Sequence, residues 1–448
     1  MNTHRRALLT GASVTAAALL AGACSGGGTA GKTEPSACVR VVDETTGRAG
    51  SSCLPTAPER DRVDLTEPRF THPTRITNPL HPTSEVTQTI MGGQVDGKPF
   101  RTEVSLLPGT KTIEVNGNPV QARISQYAAF SDGRINEVAL DWYAQADDGS
   151  VWYLGEDVFN YENGVVADTD GTWQAGHGNA PAAMIMPAVP KKGDVYRPEN
   201  LPEIVFEEVT VQAVGQIVDG PYGRAKGAMT VRELHMDGST EEKVFAPGYG
   251  EFSTGKKGGD LEAVSLAVPT DAKPGPLPAQ LAALDRTVVE AHESPGAATV
   301  REVRAAWNAY RVSDAVPDLL ERQMERDLTA LEKAGDGEQA AGPALRVAQN
   351  VTDLRLRYQP VSTVDLDRLA LWARQLTIDA KAGNEGAAAG DVTGLELVWE
   401  RVRHEAQDPA SVDTDLRKLR VAADGKDRAE MQSLAPELAQ HIQELKGS

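Results

Sequence analysis

The chain has few of the residues that build dense cores and thiol centres. Aromatics make up only 5% of its 448 residues, and cysteine occurs three times. Its core must therefore rest mainly on Val, Leu and Ala. Bases are also scarce: 45 Lys and Arg stand against 64 Asp and Glu, a net charge of −19. Such a surface repels phosphate backbones and excludes a nucleic-acid partner. Motifs that carry chemistry at fixed spacing are missing as well. There is no Walker loop, dinucleotide fingerprint, HExxH pair or Gly-x-Ser-x-Gly elbow. No catalytic residue can be assigned from a motif, and a non-enzymatic protein is the expectation.

Residues 1–23 read as an export signal. His4-Arg5-Arg6 is a short basic start, and 7–20 is weakly apolar. That run is too short for a permanent membrane helix, which needs ~20 residues. Leu20-Ala21-Gly22-Ala23-Cys24 resembles a bacterial lipobox, with Ala21 where leucine is usual. The resemblance implies a diacylglycerol on Cys24, with Ser25-Gly26-Gly27-Gly28 as a flexible tether. Arg5-Arg6-Ala7-Leu8-Leu9 also resembles a twin-arginine signal. The competing reading is plain secretion with an incidental cysteine. On the lipobox reading the protein sits on the extracytoplasmic face of the cell membrane, held by its N-terminal lipid. Cys38 and Cys53 are then left as a pair, and an oxidising compartment favours a disulfide between them. The alternative, a thiol metal site, finds no His and no further Cys in the intervening loop.

Segment 24–84 is rich in Gly, Ser, Thr and Pro and reads as a flexible spacer, with His72 and His81 as solvated loop residues. From 85 to 268 the pattern has period two. Strands are expected at 85–90, 100–106, 112–115, 120–130, 135–144, 151–161, 165–168, 205–218, 225–234, 242–246 and 263–268. Asp96-Gly97, Asn116-Gly117, Asp132-Gly133, Asp148-Gly149, Asn163-Gly164 and Asp237-Gly238 supply hairpin turns. No helix of crossover length intervenes, so the sheet should be antiparallel. A long meander of this kind is expected to curl into a barrel, half-barrel or sandwich that hides its edges. Segment 171–190 reads as a long loop over the sheet, and 269–278 as a Pro-rich linker. From 279 to 448 the period becomes helical. Leu366, Leu369, Ala373, Leu376 and Ala380 form one stripe, and Met431, Leu434, Leu438, Ile442 and Leu445 another. The expected fold is thus α+β in two domains, an antiparallel β-meander followed by an all-α antiparallel bundle of up to seven helices.

Stretch 138–164 holds two of the six Trp and three of the nine Tyr. Trp142, Tyr143, Trp152 and Tyr153 flank the Asp148-Gly149 turn. With Trp173 they are candidate contacts for an apolar or amphipathic ligand enclosed by the sheet; the plainer reading makes them core. Glu156, Asp157, Asp168 and Asp170 place carboxylates near these rings, as a glycan-acting hydrolase would require. Glu400 with His404 and Glu437 with His441 stand at i, i+4. Facing helices of that kind could offer a transition metal mixed carboxylate and imidazole ligands, whereas surface ion pairs are the plainer reading. His177, Met184 and Met186 are a soft-ligand set of the type copper(I) prefers, with loop packing as the alternative. No other cofactor is expected.

Asp141-Trp142-Tyr143-Ala144-Gln145, Val151-Trp152-Tyr153, Gly155-Glu156-Asp157 and Tyr161-Glu162-Asn163-Gly164 carry a family likeness. Ile185-Met186-Pro187, Pro221-Tyr222-Gly223 and Ala246-Pro247-Gly248-Tyr249-Gly250 extend it. Over about residues 78–268 the chain resembles a family of secreted bacterial β-rich proteins whose members often carry lipoprotein signals. Asn78-Pro79-Leu80 departs from the family's Asn-Pro-aromatic pattern. The resemblance implies a β fold and an envelope address; no chemistry is assigned to it, so it carries over no catalytic residue. The combined expectation is a membrane-anchored binding or scaffold module for an apolar or amphipathic ligand or an envelope protein. The alternatives are a metal-handling protein or a hydrolase.

Overall fold

The structure, a computed structural model, describes residues 38–447 apart from 44–45, 203, 257, 294–295, 314–315 and 336. The leader and Cys24 lie outside the described residues. Two strands open the described chain, β1 (Arg40–Asp43) and β2 (Arg48–Cys53). A run of antiparallel strands follows: β3 (Gln88–Val95), β4 (Lys98–Val115), β5 (Asn118–Ser131), β6 (Arg134–Gln145), β7 (Val151–Glu162), β8 (Val165–Asp168), β9 (Trp173–Gln174) and β10 (Ala183–Met186). The second half comprises β11 (Val195–Leu201), β12 (Val205–Gly220), β13 (Gly223–His235), β14 (Thr240–Ala246), β15 (Gly250–Gly255) and β16 (Leu261–Val268).

The expected antiparallel sheet is present, with fourteen strands among the described residues. Its order is β10-β7-β6-β5-β4-β3-β16-β15-β14-β13-β12-β11, with β8 and β9 pairing beside β7. The first and last strands of the meander, β3 and β16, therefore pair in its middle. The open ends are β10 and β11, which touch but share no ladder, so the sheet curls without closing. Four of the turn pairs, at Asp96, Asn116, Asp132 and Asn163, place both residues at positive φ, as a type I′ hairpin turn requires.

Several local expectations are corrected. The strands expected at 100–106 and 112–115 are one strand, β4, bulged between Leu106 and Thr110 around Pro108-Gly109. The supposed loop 171–190 supplies β9 and edge strand β10, both too short to show a period. Strands β11 and β15 had no clear alternation; Pro198 interrupts the first and glycines bound the second. The flexible spacer is pinned: β1 and β2 are joined by the Cys38–Cys53 disulfide (Cα–Cα 5.3 Å) and pack on Phe206, Leu234 and Met236. Further on, Ile76 and Leu80 are buried in the main sheet core. The Pro-rich linker is held as well, since Asp271 accepts from Tyr249 Oη (2.7 Å) and Lys273 N donates to Arg357 O (2.7 Å).

Among the described residues the C-terminal part forms eight α-helices. They are α1 (Ala279–Glu293), α2 (Ala297–Arg311), α3 (Asp318–Ala334), α4 (Glu338–Arg355), α5 (Val361–Ala382), α6 (Glu385–Val402), α7 (Ala410–Asp424) and α8 (Arg428–Gly447). They build two four-helix cores, one from α1 to α4 around Trp307 and Tyr310, the other from α5 to α8 around Trp399 and Leu419. The helices sit on the outer face of the sheet. The β7–β8 turn lies so close to the start of α6 that a Cβ on Gly164 (φ +82°) would fall 2.0 Å from Gly386 O. A buried ionic network joins the layers. Arg368 of α5 donates to Asp353 (2.8 Å), Asp365 (2.5 Å) and Gln88 of β3 (2.7 Å). Glu103 of β4 takes Arg101 at 2.6 Å and Arg401 of α6 at 2.5 Å. Burial works against its charge, but these guanidiniums hold Glu103 well below the usual carboxylate range.

Candidate functional site: an acid-lined sheet interior

Strand register decides which side chains share the inner face. Directly paired residues of an antiparallel ladder lie on one face, and each strand presents alternate residues to it. Glu199, Glu207 and His235 form one such row across β11, β12 and β13. Tyr196, Val209, Glu233 and Glu241 form the next, and Val211, Val231, Lys243 and Thr254 the one after. On the other side of the seam, Asp141 pairs with Glu156. All seven of these Glu, Asp and Lys side chains are buried.

Burial of so many acids perturbs their proton affinities. Asp141 is pushed up to about 6, by burial first and then by Glu156, although Tyr153 Oη donates to its Oδ1 at 2.8 Å. Glu199 rises well above the carboxylate range through burial, then Glu207 and Glu156, with which it also hydrogen-bonds across the seam. Burial and Glu233 push Glu207 up to about 8. For His235 burial opposes charge, but Glu241, Glu233 and Glu207 outweigh it and raise the ring to about 9. Lys243 is buried beside Glu233, Nζ to Oε1 2.6 Å, and stays charged against its burial through Glu233, Glu207, Glu251 and Glu241.

A cavity of about 100 Å³ opens in the same interior. Asp141, Glu251 and Glu262 contribute carboxylates, and Tyr127, Tyr143 and Tyr249 contribute rings. Val86, Met91, Val104 and Leu106 form its apolar wall. Among the described residues no Lys or Arg lines it. Its lining includes His81, which sits 4.7 Å from the Tyr143 ring and is lowered to about 4 by burial, so it is neutral at pH 7. The expectation of a solvated His81 is corrected: Ile76 and Leu80 anchor its segment in the core and carry the imidazole inside.

Of the five aromatic candidates, Tyr143 alone lines this cavity. Trp142, Trp152, Tyr153 and Trp173 are buried in the adjoining core; Tyr153 stacks on Tyr143 (4.8 Å) and meets Trp173 edge-on (5.3 Å). The four proposed metal ligands are not gathered. Helix α6 ends at Val402, so His404 falls in a short 3-10 turn and the i, i+4 relation to Glu400 is lost. Glu400 instead accepts from Gln126 Nε2 (3.3 Å). On α8, Glu437 is exposed and His441 bonds Asp415 (2.5 Å). Glu156 and Asp157 alternate, one beside Asp141 and the other near Lys111 (3.7 Å), while Asp168 and Asp170 are exposed. His177 is exposed, but Met184 and Met186 are core.

The sequence reading missed Glu199, Glu207, Glu233, His235, Glu241 and Lys243. One signal was present: Val231-x-Glu233-x-His235 and Glu241-x-Lys243-x-Phe245 place charge in phase with core residues. The chain matches no protein-family model, no curated protein and no solved structure.

Proposed function

We propose that this chain is a non-enzymatic binding module of the cell envelope, anchored by lipid on Cys24, whose sheet interior receives the cationic end of a small amphipathic molecule. The observation that carries the ligand class is the cavity wall: three carboxylates and tyrosine rings, with a neutral His81 and no Lys or Arg among the described residues, beside an apolar strip. A carboxylate pairs with an ammonium, and a tyrosine face attracts it. The volume suits a head of a few heavy atoms, since a cavity of about 150 Å³ holds benzene. The address rests on the lipobox-like sequence and the secreted-family likeness. Among the described residues no helix is long and apolar enough to cross a membrane.

Titration calorimetry with n-butylamine tests the ligand class. Saturable binding is expected at pH 7.5, with Asp141→Asn weakening it by about 10- to 100-fold, the equivalent of one charge-assisted hydrogen bond. Because Asp141 takes up its proton near pH 6, affinity should fall as pH drops from 7 to 5. Tighter binding of butyrate than of butylamine would sink the reading. The anchor has its own test. The N-terminal peptide of membrane-extracted protein should start at Cys24 and carry a diacylglycerol mass; Cys24→Ala should leave the protein in the soluble fraction.

A further inference from the structure

The amine cavity accounts for Asp141, Glu251 and Glu262, but not for the group 207, 233 and 235 further round the sheet. One ligand atom from each of Glu207, Glu233 and His235 lies within 4.8 Å of the other two, a grouping found once among the described residues. Nδ1 of His235 is 3.7 Å from Glu207, and Nε2 is 3.8 Å from Glu233 and 3.6 Å from Glu241. These separations are too long for hydrogen bonds. An imidazole gives an ion one nitrogen, so either Nδ1 with Glu207 or Nε2 with Glu233 serves; each separation is within the about 4.2 Å that two metal–ligand bonds of about 2.1 Å span, with an oxygen of the other carboxylate inside the 4.8 Å grouping.

A second observation points the same way. Tyr196 is fully buried on this inner face, in the ladder row of Glu233, and its hydroxyl has no hydrogen-bond partner among the described residues. Register places Glu233 in the same ladder row and Lys243 in the next, on the same face of the sheet. Buried hydroxyls are normally satisfied. Lys243 Nζ meets Glu233 Oε1 at 2.6 Å, which pairs one carboxylate of the group with a cation. The His235 ring, 14% exposed, leaves a way in from solvent.

We infer that Glu207, Glu233 and His235 form a binding site for a divalent first-row transition metal, with Glu241 and the Tyr196 hydroxyl beside it. One imidazole among carboxylates is a borderline donor set that suits zinc or manganese better than calcium, which prefers six or more oxygens. An imidazole nitrogen binds a metal only without its proton, so the ion takes over the positive charge of the His235 ring among the surrounding acids. This site is separate from the amine cavity and does not depend on it.

The experiment uses the full mature chain, stripped with chelator and dialysed. Zinc and manganese are added separately, and bound metal is counted by elemental mass spectrometry after buffer exchange. About one equivalent of one of them should remain, and the unfolding midpoint should rise with free metal concentration. Glu207→Gln keeps the shape of the protonated acid and should fold, yet lose affinity by tenfold or more; His235→Asn should do the same. Glu437→Gln on α8 should bind like the parent. Retention of no metal with no shift in midpoint would overturn the site. So would full retention in both Glu207→Gln and His235→Asn, or calcium binding that is indifferent to His235→Asn.

Discussion

Replacing Arg368 by methionine is expected to lower the unfolding free energy by about 3–5 kcal/mol, read as a shift in urea midpoint. Arg368 is fully buried between sheet and helices. Its guanidinium is shared by Asp353, Asp365 and Gln88, with Glu103 at 3.7 Å. Methionine fills much of the volume, so the loss isolates the charge rather than a cavity. Asp353 and Glu103 keep Arg101, but Asp365 is left with Gln88 Nε2 at 3.3 Å and Arg401 at 3.8 Å. A buried carboxylate in that position must be protonated or hydrated, and either route loosens α5 from β3. Arg311→Ala is the control. Its 38% exposed side chain pairs with Glu321 in solvent, where such a pair is worth at most about 1 kcal/mol. The pH dependence has a definite sign. Glu103 is depressed in the folded state, so its contribution is present above the ordinary Glu range and is lost as pH falls. The deficit of the variant should therefore narrow in acid. A variant as stable as the parent at pH 7.5 would show that the network contributes nothing to joining the layers.

That network also marks what one sequence can reveal. The hairpins were legible because Asp-Gly and Asn-Gly pairs act locally: the φ values at Asp96, Asn116, Asp132 and Asn163 follow from neighbours alone. The helical stripes were legible for the same reason, and Leu369, Ala373, Leu376 and Ala380 are indeed buried together. Pairing of β3 with β16 joins Gln88 to Val268, and no local pattern encodes a contact across that separation. The interior acids were hidden differently. In Val205-Phe206-Glu207-Glu208-Val209 both faces are buried, because the disulfide hairpin covers Phe206 and Arg197 takes Glu208 at 2.9 Å. Alternation marks a strand with one wet face; with two dry faces a buried glutamate reads like a solvated one. The aromatic hairpin drew notice by composition, yet only Tyr143 reaches the cavity, because the other four rings close the core around it.

The second large effect is expected at Lys243. In chelator-treated protein at pH 7.5, Lys243→Met should cost about 3–5 kcal/mol, the range for removing one partner of a buried ion pair. Lys243 is fully buried and its ammonium touches Glu233, with Glu207, Glu241 and Glu251 around it. Methionine again keeps the stem volume, so what is lost is the positive charge that faces Glu233 in a dry interior. Without it the carboxylates repel one another, and Glu207, already raised, is raised further. The direction with pH is opposite to that of a surface-paired acid. Carboxyls raised above their unfolded values stabilise the fold most when protonated, and the stability falls as pH rises through the folded value, about 8 for Glu207 in the parent. Lys243→Met should therefore lie close to the parent at pH 5 and fall away from it steadily toward pH 8. Denaturant midpoints taken at half-unit pH steps would check this. A deficit independent of pH would mean that Lys243 contributes packing alone, and that its charge does not act on the acids of the sheet interior.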